Sequence, residues 1–112
     1  MSAKIRRAKQ IIKAHQHEKK RAIWNKGNIA PGRRPEEYRL DHYGALMKWS
    51  EYGNQNHKYG WQVDHIVPLS AGGNDDLDNL RPVFWLNNQA RNQKPPQIFL
   101  RFNPTEKKNS QK

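Results

Sequence analysis

The sequence predicts an α+β fold: a small core of a two-stranded antiparallel hairpin plus a helix, preceded by a long basic N-terminal helix. Three observations predict it. The run Trp61 to Val67 alternates as a half-buried strand does, and a Gly-rich turn, a second extended segment and a short helical segment follow it. Residues 2 to 26 are rich in Lys, Arg, Ala, Gln and Ile, with Ile5, Ala8 and Ile12 at helical spacing. A breaker-rich connector, with Pro31-Gly32 and Arg33-Arg34-Pro35, separates the two.

Taken in order, the first element is a helix with Ser2 as N-cap and Gly27 as the residue just past its end. His15, Gln16 and His17 interrupt its apolar stripe. Either the charged face is solvated while the isoleucines pack, or its cations meet phosphates. After the connector, Tyr38 to Asp41 and Ala45 to Trp49 flank His42-Tyr43-Gly44 as a short hairpin, with a helix over Leu46 to Tyr52 as the rival reading.

Trp61 to Val67 is the central strand. Trp61, Val63 and His65 share one face, and Gln62, Asp64 and Ile66 the other, so Asp64 and His65 serve one site only if the strand ends or bends near them. Pro68 soon after makes that end. Gly72 to Asp76 is a turn, Leu77 to Val83 a second strand or extended segment, and Phe84 to Asn92 a short helix ended by Pro95-Pro96. Ile98, Phe99, Leu100 and Phe102 form a last apolar segment against the core. The domain boundaries are thus 1–27 for the basic helix, 28–104 for the core and 105–112 for a frayed basic tail.

At 112 residues with 34% hydrophobic content, the chain buries a modest core in a single domain. Lys and Arg total 21 against 10 Asp and Glu, a net charge of +11. That excess points to a polyanionic partner, with nucleic acid first. Zero cysteines exclude a disulfide framework and a Cys-ligated zinc, so any metal must use His, carboxylate or amide ligands. Residues 1 to 26 lack the apolar core of a secretory signal, and no stretch has membrane-spanning length, which leads us to expect a soluble cytoplasmic protein.

The chemistry concentrates at Asp64-His65 and two later amides. Asp64 and Asn88 are hard oxygen donors suited to Mg²⁺ or Mn²⁺, and His65 takes a proton from water near neutral pH. Metal and base together are what phosphodiester hydrolysis needs. Trp61, Leu80, Val83 and Trp85 are read as the small core under the site. Asp75, Asp76 and Asp78 are read as caps of the Gly-rich turn rather than a second metal site, and His15, His17 and His57 as solvent-exposed.

The pattern Gly60-Trp61-Gln62-Val63-Asp64-His65-Ile66-Val67-Pro68, then Gly72-Gly73, Asn79-Leu80-Arg81-Pro82, and Asn88 with Arg91 three residues on, resembles the HNH endonuclease family. That family belongs to the ββα-metal, or His-Me finger, group, and the resemblance covers about residues 60–94. It implies a ββα-metal core in which His65 is the general base, Asp64 and Asn88 are the metal ligands, and Asn79 orients the loop and the base. Arg91 stands where the family commonly carries Lys and is expected at a phosphate, with Arg81 and Lys94 as weaker candidates. The family often has His at the last motif position; Asn88 there leans the metal toward Mg²⁺ or Mn²⁺ and away from Zn²⁺ or Ni²⁺.

The expected function is a metal-dependent DNA endonuclease, a monomer that nicks one strand with little sequence preference. The alternatives are a non-catalytic nucleic-acid-binding module on a degenerate HNH core, a junction-resolving nuclease and a bacteriocin-like toxin domain.

Overall fold

The computed structural model describes residues 2–92 and 98–102; the expected tail, 105–112, lies outside them. Helix α1 (Ala3–Trp24) begins at Ser2, whose Oγ accepts the Ile5 amide at 3.3 Å. This hydrogen bond satisfies one of the orphan donors of the first turn. The C-terminus departs from expectation. Asn25 caps the helix, and successive turns carry the chain away without a left-handed residue, so Gly27 is not the helix stop. Its small size matters for another reason: a Cβ there would lie 3.1 Å from Arg39 Cβ and 3.2 Å from the Leu40 carbonyl.

The isoleucine stripe also behaves differently from the packing expected of it. Ile5 and Ile12 are 51% and 55% exposed, whereas Ile23 and Trp24, at the other end of α1, are buried. The helix is held by its last turns. Trp24 Nε1 donates to the Pro35 carbonyl at 3.0 Å, and Lys26 Nζ to the carbonyls of Leu77 and Leu80.

Three short strands follow, β1 (Asn28–Ile29), β2 (Tyr38–Leu40) and β3 (Leu46–Lys48), in an antiparallel sheet of that order. The hairpin reading of this region holds, with Gly44 at φ +95° in its turn. The rival helix shrinks to one 3₁₀ turn, Trp49–Glu51. The start of the connector, read as a breaker segment, contributes edge strand β1 because Asn28 and Ile29 face Leu40 and Arg39.

A second sheet pairs β4 (Trp61–His65) with β5 (Leu80–Phe84), and α2 (Trp85–Arg91) follows directly. Strand β4 stops two residues earlier than expected. The second strand begins three residues later, because Leu77–Asn79 is a 3₁₀ turn. The core joins both sheets to α1 through Trp24, Ala45, Met47, Trp61 and Phe84, with Trp49, Val63 and Trp85 against it. The rings of Trp24 and Trp61 lie 5.0 Å apart and those of Trp24 and Trp49 5.7 Å. Each indole withdraws on the order of 200 Å² from water, so these few rings make up much of a small core.

Asp41 ties the two sheets together. It is fully buried; Oδ1 accepts the amides of Tyr43 and Ala45 at 3.0 and 2.8 Å, and Oδ2 accepts the Phe84 amide at 3.1 Å and Asn87 Nδ2 at 3.0 Å. Asn87, also buried, exchanges hydrogen bonds with the backbone of Leu100 at 2.7 and 2.9 Å. The last segment is thus held through Leu100's backbone, while Ile98 is 79% exposed and Phe99 stacks on Tyr43 at 3.9 Å. Asp41→Ala leaves four donors without this acceptor and is expected to cost about 3 kcal/mol or more, read as a lower urea midpoint. Asp41→Asn, which keeps one acceptor oxygen, is expected to cost less.

Candidate active site

Strand β4 carries the site because its two faces meet different neighbours. Trp61 and Val63 turn to the indole cluster, while Gln62 and Asp64 turn to α2. Asn88 and Arg91 stand three residues apart on α2 and so share the face that covers the strand. Asn88 Nδ2 donates to Gln62 Oε1 at 2.8 Å, and Arg91 NH1 donates to Asp64 Oδ1 at 2.6 Å.

Asp64 is 6% exposed and paired on both oxygens. The register sets it opposite Arg81, whose Nε donates to Oδ2 at 3.0 Å. Arg91 also wraps the end of the strand, donating NH1 to the His65 carbonyl at 2.9 Å and NH2 to the Ile66 carbonyl at 2.8 Å. Two largely buried guanidiniums therefore pair with one buried carboxylate, the arrangement in which such a group is tolerated.

His65 is the last residue of β4 and leaves by the opposite face. Its Nε2 lies 2.7 Å from Asp75 Oδ1, in the loop after the Gly pair. Among the described residues, no hydrogen bond joins His65 to Asp64. They are neighbours at the strand end, each fixed by its own partner.

The loop between β4 and β5 is folded around Asn79. Its Oδ1 accepts the Val67 amide at 2.8 Å, and its Nδ2 donates to the carbonyls of Val67 at 3.0 Å and Asn74 at 2.8 Å. Both ends of the side-chain amide are used, a pattern that neither Asp nor Leu reproduces. Gly73 lies so close to the Val67 carbonyl that a Cβ would sit 1.8 Å from it, and Gly72 takes φ +90°. The Gly pair is what lets the loop close onto Asn79.

The donors the sequence points to for a divalent cation are the Asp64 carboxylate and the Asn88 side-chain oxygen. No group of three His, Cys, Asp or Glu residues suited to a metal occurs among the described residues. Asn88 spends its Nδ2 on Gln62, which leaves its oxygen for another partner. Each Asp64 oxygen accepts one guanidinium and keeps a second lone pair. An oxygen-only set with few protein ligands fits a hard cation that retains waters.

The HNH endonuclease family model matches residues 53–94. The match contains β4, the Asn79 loop, β5 and α2, so the matched stretch and the site just described coincide. The searches of curated proteins and of solved structures gave no match. Nuclease action on DNA with a divalent metal ion is the chemistry of this family, and its ββα element is seen here as β4, β5 and α2.

The structure draws Asp64, Arg81 and Arg91 together, sets Asn88 beside them through Gln62, and holds His65 by Asp75. Lys94 lies outside the described residues. Sequence reasoning missed Asp75 as the partner of His65, treating it as a turn cap, and missed Gln62, whose position two residues before Asp64 on the same strand face was the available signal. His57 is only partly exposed: its carbonyl accepts Trp85 Nε1 at 2.8 Å. Asn79→Ala removes all three side-chain hydrogen bonds, the acceptor of the Val67 amide among them. Faster hydrogen exchange at the Val67 amide is the expected result, with the core amides of β4 unchanged.

Proposed function

We propose that this chain is a metal-dependent DNA endonuclease that hydrolyses phosphodiester bonds, nicking one strand with little sequence preference. The observation that carries the reading is the strand end itself, where a buried carboxylate and a carboxylate-paired imidazole occupy consecutive positions within the HNH match. His65 is the general base: its neutral ring removes a proton from the attacking water, and the resulting hydroxide attacks phosphorus as the 3′ oxygen leaves.

Asp64 and Asn88 hold the ion, Mg²⁺ or Mn²⁺ by donor type, with Zn²⁺ or Ni²⁺ disfavoured. When bound, it supplies Lewis-acid neutralisation of the phosphate and the leaving oxygen. Arg81 and Arg91 place two positive charges against Asp64, making the strand end attractive to a phosphate despite the carboxylate. Asn79 acts at one remove, bracing the loop that faces His65.

Affinity for DNA comes chiefly from charge. Helix α1 carries Lys4, Arg6, Arg7, Lys9, Lys13, Lys19, Lys20 and Arg21 against Glu18 alone, and residues 2–19 are exposed. A cationic rod of this kind contacts backbone phosphates regardless of sequence. Among the described residues, no helix is long and apolar enough to cross a membrane.

Supercoiled plasmid with Mg²⁺ or Mn²⁺ should yield open circles before linear product, and chelation should stop the reaction. No cleavage at low salt with any divalent metal would refute the enzyme reading. His65→Ala is expected to lose about 10²-fold to 10⁴-fold in rate. Its DNA affinity should be retained; a variant that cleaves like wild type would instead favour a binding module on an HNH scaffold. Affinity itself should fall on the order of 10³-fold or more between about 50 and 200 mM salt, measured by fluorescence anisotropy.

A further inference from the structure

We propose that Asp75 is the positioning residue of this site, fixing the His65 ring so that Nε2 carries the proton and Nδ1 is the basic nitrogen. The proposal rests on the reading of His65 as general base. Its geometry is direct: Asp75 Oδ1 lies 2.7 Å from His65 Nε2. The His65 hydrogen bond, with further help from the charges of His65 and Lys19 and against slight desolvation, holds the Asp75 carboxyl below its usual value of 3.8. Near neutral pH it is therefore an anion and can only accept. Nε2 must then be the donor, and in the neutral ring the lone pair falls on Nδ1.

The support for Asp75 is built into the loop. Its carbonyl accepts Lys19 Nζ of α1 at 2.7 Å. On one side the Asn74 carbonyl accepts Asn79 Nδ2 at 2.8 Å, and on the other the Asp76 carbonyl accepts the Asn79 amide at 2.8 Å. Both chain neighbours of Asp75 are thus hydrogen-bonded to the same asparagine. The backbone that presents this carboxylate is fixed from three directions.

Exposure argues for orientation and against a stability role. The Asp75 side chain is 75% exposed and that of His65 28% exposed. Solvent-screened pairs of this kind contribute little to folding. What such a pair selects is the tautomer, because only the Nε2–H form has a proton to donate to the carboxylate. During the reaction the water O–H bond breaks and an Nδ1–H bond forms, giving an imidazolium that keeps its Nε2 proton on Asp75. The hydroxide uses the freed electron pair to bond phosphorus as the P–O3′ bond breaks, and the 3′ oxygen leaves with that bond's pair.

The test compares wild type with Asp75→Ala, Asp75→Glu and the neighbouring control Asp76→Ala. Plasmid-cleavage kinetics, thermal midpoints and ¹⁵N–¹H correlation of the His65 ring at a pH where it is neutral are the three readouts. Asp75→Ala should lower kcat about 10-fold to 100-fold, as loss of an orienting carboxylate on a site histidine does. KM and the midpoint should stay in place, and the His65 signal should move from the Nε2–H form toward a mixture. Asp75→Glu should recover part of kcat and of the tautomer signal, and Asp76→Ala should match wild type. A full Nε2–H signal in Asp75→Ala, or wild-type kcat in that variant, overturns the proposal. If wild type itself does not cleave, the nuclease reading fails, while the tautomer measurement still decides whether Asp75 holds the ring.

Discussion

The Asp41 carboxylate is the interaction on which the rest of the structure depends. Both of its oxygens are saturated, one by the turn between β2 and β3 and the other by the start of α2. A core of a few indoles is non-directional and tolerates sliding of one sheet against another. Four hydrogen bonds to one buried anion do not, because each lost bond leaves a buried donor unsatisfied. The Phe84 amide stands at the N-terminus of α2, where a negative charge is also favoured by the helix dipole. Asp41 therefore sets where α2 begins and, through Asn87, which way its faces point.

From that starting point the site geometry follows by helical period. With Asn87 turned to Asp41, Asn88 is rotated by about 100° and Arg91 returns one turn later, so both meet the polar face of β4. Asp64 is buried because α2 covers it, and Arg81 across the sheet and Arg91 above it share its oxygens. The strand end then separates acid and base. Asp64 belongs to the face under α2, whereas His65, with no further strand after it, extends toward the Asn79 loop. Consecutive residues on opposite faces can address a single phosphate only at such an edge.

Most of the scaffold was legible because its signals are local. The alternation in Trp61–His65, the Ser2 cap and the Gly44 turn each rest on neighbouring residues, and the structure has them where local rules put them. What escaped was decided by partners distant in sequence. Edge strand β1 exists because Arg39 and Leu40 are there to pair with it, and Ile5, Ile11 and Ile12 in the first half of α1 stay exposed while Ile23 at its far end is buried. In the site, the HNH pattern marked Asp64, His65, Asn79 and Asn88, but spacing carries no information about who holds whom. Asp75 in a turn of three nearby acids looked like any solvated carboxylate until its distance to His65 was known. Asp41, beside the hairpin turn, owes its role to Phe84 and Asn87, more than forty positions away.

The charge on α1 has a structural side as well as a ligand-binding one. Turns and strand starts leave carbonyls without ladder partners, and such groups need donors when they are covered. Lys19 and Lys26 reach back from the helix to supply them at Asp75, Leu77 and Leu80, all in the stretch that presents the loop to His65. Ammonium groups suit this work because each rotates freely and carries three donors on a flexible stem. The exposed basic half of α1 is thus continuous, along one rigid helix, with the lysines that pin the loop behind the base. The same arrangement explains why the helix keeps its direction without packing of Ile5, Ile11 or Ile12, since its root is fixed by Trp24, Ile23 and two lysine contacts at once.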